Sequence, residues 1–204
     1  MELIRNYIST LQLTMDQLPL QLIAEVVELL QQARTNGNQV FILGNGGSAS
    51  TASHFACDLA KNTRQEGLPH FRVIGLTDNM AMFSALANDD GYENVFSEQL
   101  AGLIRHGDIV IAISASGNSK NVVHAAEMAQ RHKATVIGFT GFDGGRLREL
   151  ANINIHVNSN IIEHVEDIHL MLEHLIVSSI KGQVRTVVKL QAPVAQLPAE
   201  LFSD

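Results

Sequence analysis

At 204 residues the chain is long enough for one domain with a full core, and its 46% hydrophobic and 17% charged residues are ordinary for a soluble globular protein. A net charge of −7 argues against a nucleic-acid surface, which needs clustered Lys and Arg. It leaves open a small phosphorylated ligand, because backbone amides and hydroxyls hold phosphate without a cation. The single cysteine, Cys57, cannot form an intrachain disulfide. The amino terminus is amphipathic rather than a signal peptide, and no apolar run is long enough for a membrane span, so the expected address is the cytoplasm.

Residues 2 to about 36 carry apolar positions at helical spacing (Leu3, Ile4, Tyr7, Ile8, Leu11, then Leu20, Ile23, Val27, Leu30), which predicts two leading helices stopped by Asn36-Gly37-Asn38. Short apolar, often β-branched runs follow at Val40–Leu43, Phe71–Leu76, Ile109–Ile113, Ala134–Phe139 and Ile153–Val157, separated by helical stretches. Their alternation with helices predicts βαβ units, an α/β fold and a parallel sheet covered on both faces. Residues 160 to about 184 read as one last amphipathic helix; the tail 185–204, with Pro193 and Pro198, has no assigned structure.

In such a sheet ligands bind at the carboxyl ends of the strands. The first strand runs into Gly44-Asn45-Gly46-Gly47-Ser48-Ala49, whose glycines let successive amides face an anion and whose Ser48 is suited to cap the next helix. The third strand runs into Ser114-Ala115-Ser116-Gly117-Asn118-Ser119, again just before a helix. A plain chain reversal is the lesser reading of the glycine loop, whereas a serine-rich loop taken alone is usually a turn and cap. Two after parallel strands of one sheet point to a phosphate cradle. A dinucleotide fingerprint at Gly44-x-Gly46-x-x-Ala49 is the competing reading, but Asp78 lies too far along for the acidic partner and the serine loop would have no role.

GNGGSA, SASGNS, AND at 87–89, TGFDGG at 140–145 and EDIHLMLEH together resemble the phosphoheptose isomerase branch of the sugar isomerase (SIS) family, over about residues 1–184. The resemblance implies a flavodoxin-like three-layer parallel sheet with an N-terminal helical arm (1–36) in a single domain, and a homotetramer. It implies a phosphosugar held by Asn45, Gly46, Gly47, Ser48, Ser114, Ser116 and Ser119, with Asp89 and Glu166 also at substrate positions. It further implies zinc held by His54, Asp58, Glu166 and His174, and conversion of sedoheptulose 7-phosphate to a heptose phosphate with Asp58 as base and His174 as the acid or its partner.

His54 and Asp58 share one helix face, and Glu166 and His174, eight apart, share roughly one side of the last helix. Aldose–ketose isomerisation needs a base, an acid and charge stabilisation at the oxygens, which this set supplies. Three positions depart from the family's enzymes. Asp58 stands where they carry a glutamate, Glu166 where they carry a metal-binding glutamine, and Lys61 or Asn62 where an arginine follows the first-helix motif. Non-catalytic relatives that associate with the bacterial replication initiator also lose parts of the set. The alternative is therefore a phosphosugar-binding regulator or tetrameric adaptor with a protein partner. His169 is a further candidate, for a neighbouring subunit's site, and Cys57 reads as an inert thiol rather than a ligand.

Overall fold

The computed structural model describes residues 1–191, with side chains through residue 182. Two helices lead, α1 (Glu2–Met15) and α2 (Leu20–Asn36). The second ends where Gly37 adopts φ +71° and the Asn38 N–H reaches back to the Ala33 carbonyl at 2.9 Å, a Schellman closure that needs a residue without Cβ strain. Then come β1 (Gln39–Gly44), α3 (Gly47–Lys61), β2 (Arg72–Gly75), α4 (Met80–Asp89), a 3-10 turn (Tyr92–Asn94), α5 (Ser97–Ala101), β3 (Ile109–Ile113), α6 (Lys120–Arg131), β4 (Thr135–Thr140), α7 (Gly145–Leu150), β5 (Ile153–His156) and α8 (Ile162–Gln191).

The five strands pair in parallel in the order β2-β1-β3-β4-β5, the flavodoxin-like order. Their apolar runs are continuous because both faces are covered. On β1, Val40 and Ile42 join one core with α2, α3 and α8, while Phe41 and Leu43 join a second core with α5 and α6. The strand period of two splits β3 in the same way, with Ile109, Ile111 and Ile113 on the first face and Val110 and Ala112 on the second. The edge strand β2 is only partly covered.

α8 runs to Gln191, past the expected helix end near 184; the part of the tail with Pro193 and Pro198 lies outside the described residues. No helix among the described residues is long and apolar enough to cross a membrane. The strand order reverses between β1 and β3, and the glycine-rich and serine-rich loops leave the carboxyl ends of those two strands. That is where an open α/β sheet offers a crevice.

Candidate functional site

The two loops enclose one cavity of about 310 Å³, lined by Asn45, Ser48, Ser114, Ser116, Ser119 and Glu166 together with apolar Ile113, Phe142 and Ile162. Ser48 does not cap α3. The N-cap is Gly46, with φ +56°, and Ser48 sits one residue into the helix, buried, so its hydroxyl is turned to the cavity rather than spent on the helix end. Ser119 is the N-cap residue of α6 but makes no side-chain capping bond. In the serine loop, Ser114 Oγ accepts the Gly117 N–H at 3.2 Å and donates to Ser119 Oγ at 3.5 Å, and Ser116 Oγ accepts the Asn118 N–H at 3.3 Å.

Gly117 holds this loop against the next one. Its φ is +65°, and a Cβ there would stand 1.9 Å from the Gly144 carbonyl oxygen. The Leu147 N–H donates to the Gly117 carbonyl at 2.9 Å, and the Arg146 N–H donates to Asn118 Oδ1 at 3.0 Å. The TGFDGG segment is thus a buttress for the cradle.

Asn45 is fixed by two residues the sequence did not single out. Asn45 and Asn121 exchange amide hydrogen bonds at 2.9 Å, and the Tyr92 hydroxyl donates to Asn45 Oδ1 at 2.9 Å. Asn121 opens α6 directly after the serine loop, and that adjacency was the available signal. Gly46 borders a second cavity of about 220 Å³ on the other side of Asn45, with Met80, Phe83 and Tyr92. Gly47 packs on Glu166: a Cβ on it would lie 2.6 Å from Glu166 Oε1. Asp89 is exposed at the end of α4, accepts from Asn88 Nδ2 at 2.7 Å, and does not line the serine-loop cavity.

Farther along α3 and α8 a second cluster forms. Asp58 Oδ1 lies 3.8 Å from His54 Nε2, and the His54 and His174 rings meet edge to face with centroids 4.9 Å apart. Glu173, adjacent to His174 in sequence, is wholly buried; its Oε2 is 3.2 Å from His174 Nε2, yet neither carboxylate oxygen has a hydrogen-bond partner. Donor atoms of His54, Asp58, Glu173 and His174 all lie within 4.8 Å of one another. Glu166 is not in this group. Burial pushes the Glu173 carboxyl up to about 7, opposed by His54 and reinforced by Asp58.

His169 corrects an expectation. It is buried against Phe139, with Nε2 3.4 Å from the Thr140 carbonyl of its own chain, so it is not presented to a neighbouring subunit. Burial, aided by His156 and opposed by the Thr140 contact, holds it down to about 4, so it stays neutral. Cys57 is exposed and stands apart from the donor cluster, beside a shallow pocket with Ser53 and Asp78.

Residues 5–141 match the model of the SIS domain family. The chain belongs to this family. It is 38% identical to a phosphoheptose isomerase from Aliarcobacter butzleri over 175 residues, covering 79% of this chain and 91% of that one. Among solved structures it resembles phosphoheptose isomerases from Neisseria gonorrhoeae (TM-score 0.82, 27% identity, 89% of this chain and 98% of that one) and Francisella tularensis (TM-score 0.81, 30% identity, 89% and 97%). As an SIS domain the chain carries its two serine-lined loops where sheet topology puts the ligand crevice.

Proposed function

We propose that the chain isomerises sedoheptulose 7-phosphate to an aldoheptose 7-phosphate. The observation that carries this reading is the pairing of a cation-free hydroxyl cradle with an imidazole–carboxylate cluster two helical turns away. Ser48 and His54 are six residues apart on α3, and Glu166 and His174 eight apart on α8, so the two features are separated by about 9–12 Å at 1.5 Å per residue. A seven-carbon chain has six C–C bonds of about 1.5 Å each, which suits that gap. The relatives named above support the same substrate.

With the phosphate in the cradle, held by Ser48, Ser114, Ser116, Ser119 and Asn45, C1 and C2 of the ketose reach the cluster. Asp58 takes the proton from C1, the C1–C2 double bond forms, and the C2 carbonyl oxygen takes a proton to give the enediol. Loss of the O1 proton then makes C1 the carbonyl, and C2 receives the proton from Asp58. His174, as acid or its partner, moves the proton between O1 and O2. The donors fit zinc: two imidazoles and carboxylate oxygens gathered within 4.8 Å, one carboxylate buried without a hydrogen-bond partner. Zinc, bound by His54, Asp58 and His174, would supply Lewis acidity toward the developing oxyanion. A homotetramer and a cytoplasmic address complete this reading.

Incubating the purified protein with sedoheptulose 7-phosphate and following aldose formation tests it. The wild type turns over, and His174→Ala abolishes turnover. Asp58→Glu raises the rate, because one methylene, about 1.5 Å, is a misplacement on the scale that costs an enzyme roughly a hundredfold. Binding of the ketose phosphate without turnover by wild type or by Asp58→Glu would instead assign a sensing or adaptor role, which the shortened Asp58 favours.

A further inference from the structure

α3 and α8 lie side by side and run in the same direction from the ligand crevice. Gly47 faces Glu166 at the first level, where the Glu166 carboxylate closes on the Gly47 Cα. Seven residues on along each helix, His54 faces the Glu173–His174 pair. Two helical turns, about 10 Å, separate the levels. α8 thus presents two acidic residues to α3, Glu166 at the phosphate cradle and Glu173 at the imidazole cluster.

Glu173 is the anomaly of the pair. It is wholly buried in a helix whose neighbouring positions Leu172, Ile176 and Val177 belong to the apolar core, where an apolar side chain is the ordinary occupant. A buried carboxylate with no hydrogen bond on either oxygen is strongly disfavoured unless something compensates its charge. The titratable groups that face it are His54, Asp58 and His174, and among the described residues no Lys or Arg pairs with it. Two imidazoles, a second carboxylate and the orphaned Glu173 oxygens converge from two helices, the donor set and count of a tetrahedral divalent-metal site.

We infer that Glu173 is the fourth metal donor of this protein and that Glu166 is released to the phosphosugar pocket. Seated in the cavity wall with Ser48 and Ser116, Glu166 accepts hydrogen bonds from sugar hydroxyls and sets which sugar fits. This rests on the isomerase reading only for the identity of the sugar; the metal assignment stands on the side-chain geometry.

The test is zinc titration of the purified full chain against a chromophoric chelator, with the visible spectrum of the cobalt(II) form. Wild type should take up one ion per chain with the intense absorption of a tetrahedral cobalt site. Glu173→Gln should weaken zinc at least tenfold and alter the cobalt spectrum. Glu166→Ala, which removes the donor outright, should leave zinc affinity within about twofold while changing KM for the sugar phosphate. Glu173→Leu supplies a measurement independent of the polar variant's folding: it should be folded and lose the rise in Tm that zinc gives the wild type. Loss of zinc affinity in Glu166→Ala, or a wild-type zinc response in Glu173→Gln or Glu173→Leu, overturns the assignment. Turnover by a wild type that binds no metal overturns it and leaves the isomerase reading intact. Metal bound through Glu173 without turnover does the reverse.

Discussion

In the proposed phosphosugar site, hydroxyl groups rather than cations would hold the phosphate. No Lys or Arg lines the cavity, so each lost hydroxyl is a lost donor that no cation replaces. Ser114 is buried and partly engaged within its loop, whereas Ser116 is exposed and Ser119 makes no capping bond, so those two have free donors. Ser116→Ala with Ser119→Ala should weaken binding of sedoheptulose 7-phosphate by about 2 kcal/mol or more, roughly thirtyfold, at about 1–3 kcal/mol per hydrogen bond to a charged group. Calorimetric titration checks this, and an unchanged affinity would remove the loops from the account. The serines were legible because they follow strands at a sheet's carboxyl edge. Glu173 was not. It lies one position before His174, some 100° round the helix, so periodicity on α8 pairs His174 with Glu166 instead; only the closeness of α3 reveals which carboxylate stands beside His54.

The strands were readable for a simple reason: residues buried on both faces leave uninterrupted apolar runs, and the structure moves their ends by at most one position. Helix starts were less readable. The cap assigned to Ser48 belongs to Gly46, because the backbone turns at positive φ one step earlier than the serine suggests. The packing of α8 on β4 also has a consequence for stability. His169 is held near 4, below its ordinary value of 6.5, so at intermediate pH the unfolded chain binds a proton that the folded chain refuses. Stability is therefore fully present above about 6.5 and lost as pH falls toward 4, by roughly 3 kcal/mol for this group alone. His156, also lowered by burial, acts in the same direction. Glu173, raised to about 7 by burial, takes up a proton on folding over the same range and opposes this fall, so the test is the difference between wild type and His169→Gln in urea unfolding at pH 6.5 and 4.5. The variant should lose less stability, or gain more, on acidification; an unaltered pH slope in it would remove His169 from the account.

At the scale of the molecule the leading helix is the part that one chain does not account for. Tyr7 ties α1 to α8 through a 2.6 Å hydrogen bond to Asp167 and an edge-on contact with the His164 ring. Leu11 and Met15 touch the core. Yet Leu3, Ile4, Ile8 and Leu13 stay 84%, 59%, 50% and 64% exposed. A 14-residue helix is marginal in water by itself, and an apolar stripe of this kind is a surface for another protein or for a second copy. The homotetramer proposed above gives that stripe an occupant. Light scattering at micromolar concentration should then report a multiple of the 22.2 kDa chain mass, four for the tetramer. Ile4→Asp with Ile8→Asp, which puts two carboxylates one turn apart on the stripe, should shift the mass toward smaller species while far-ultraviolet circular dichroism remains that of a folded α/β domain. A monomeric mass for the wild type would refute the assembly, and an unchanged oligomer in the double variant would move the interface off α1.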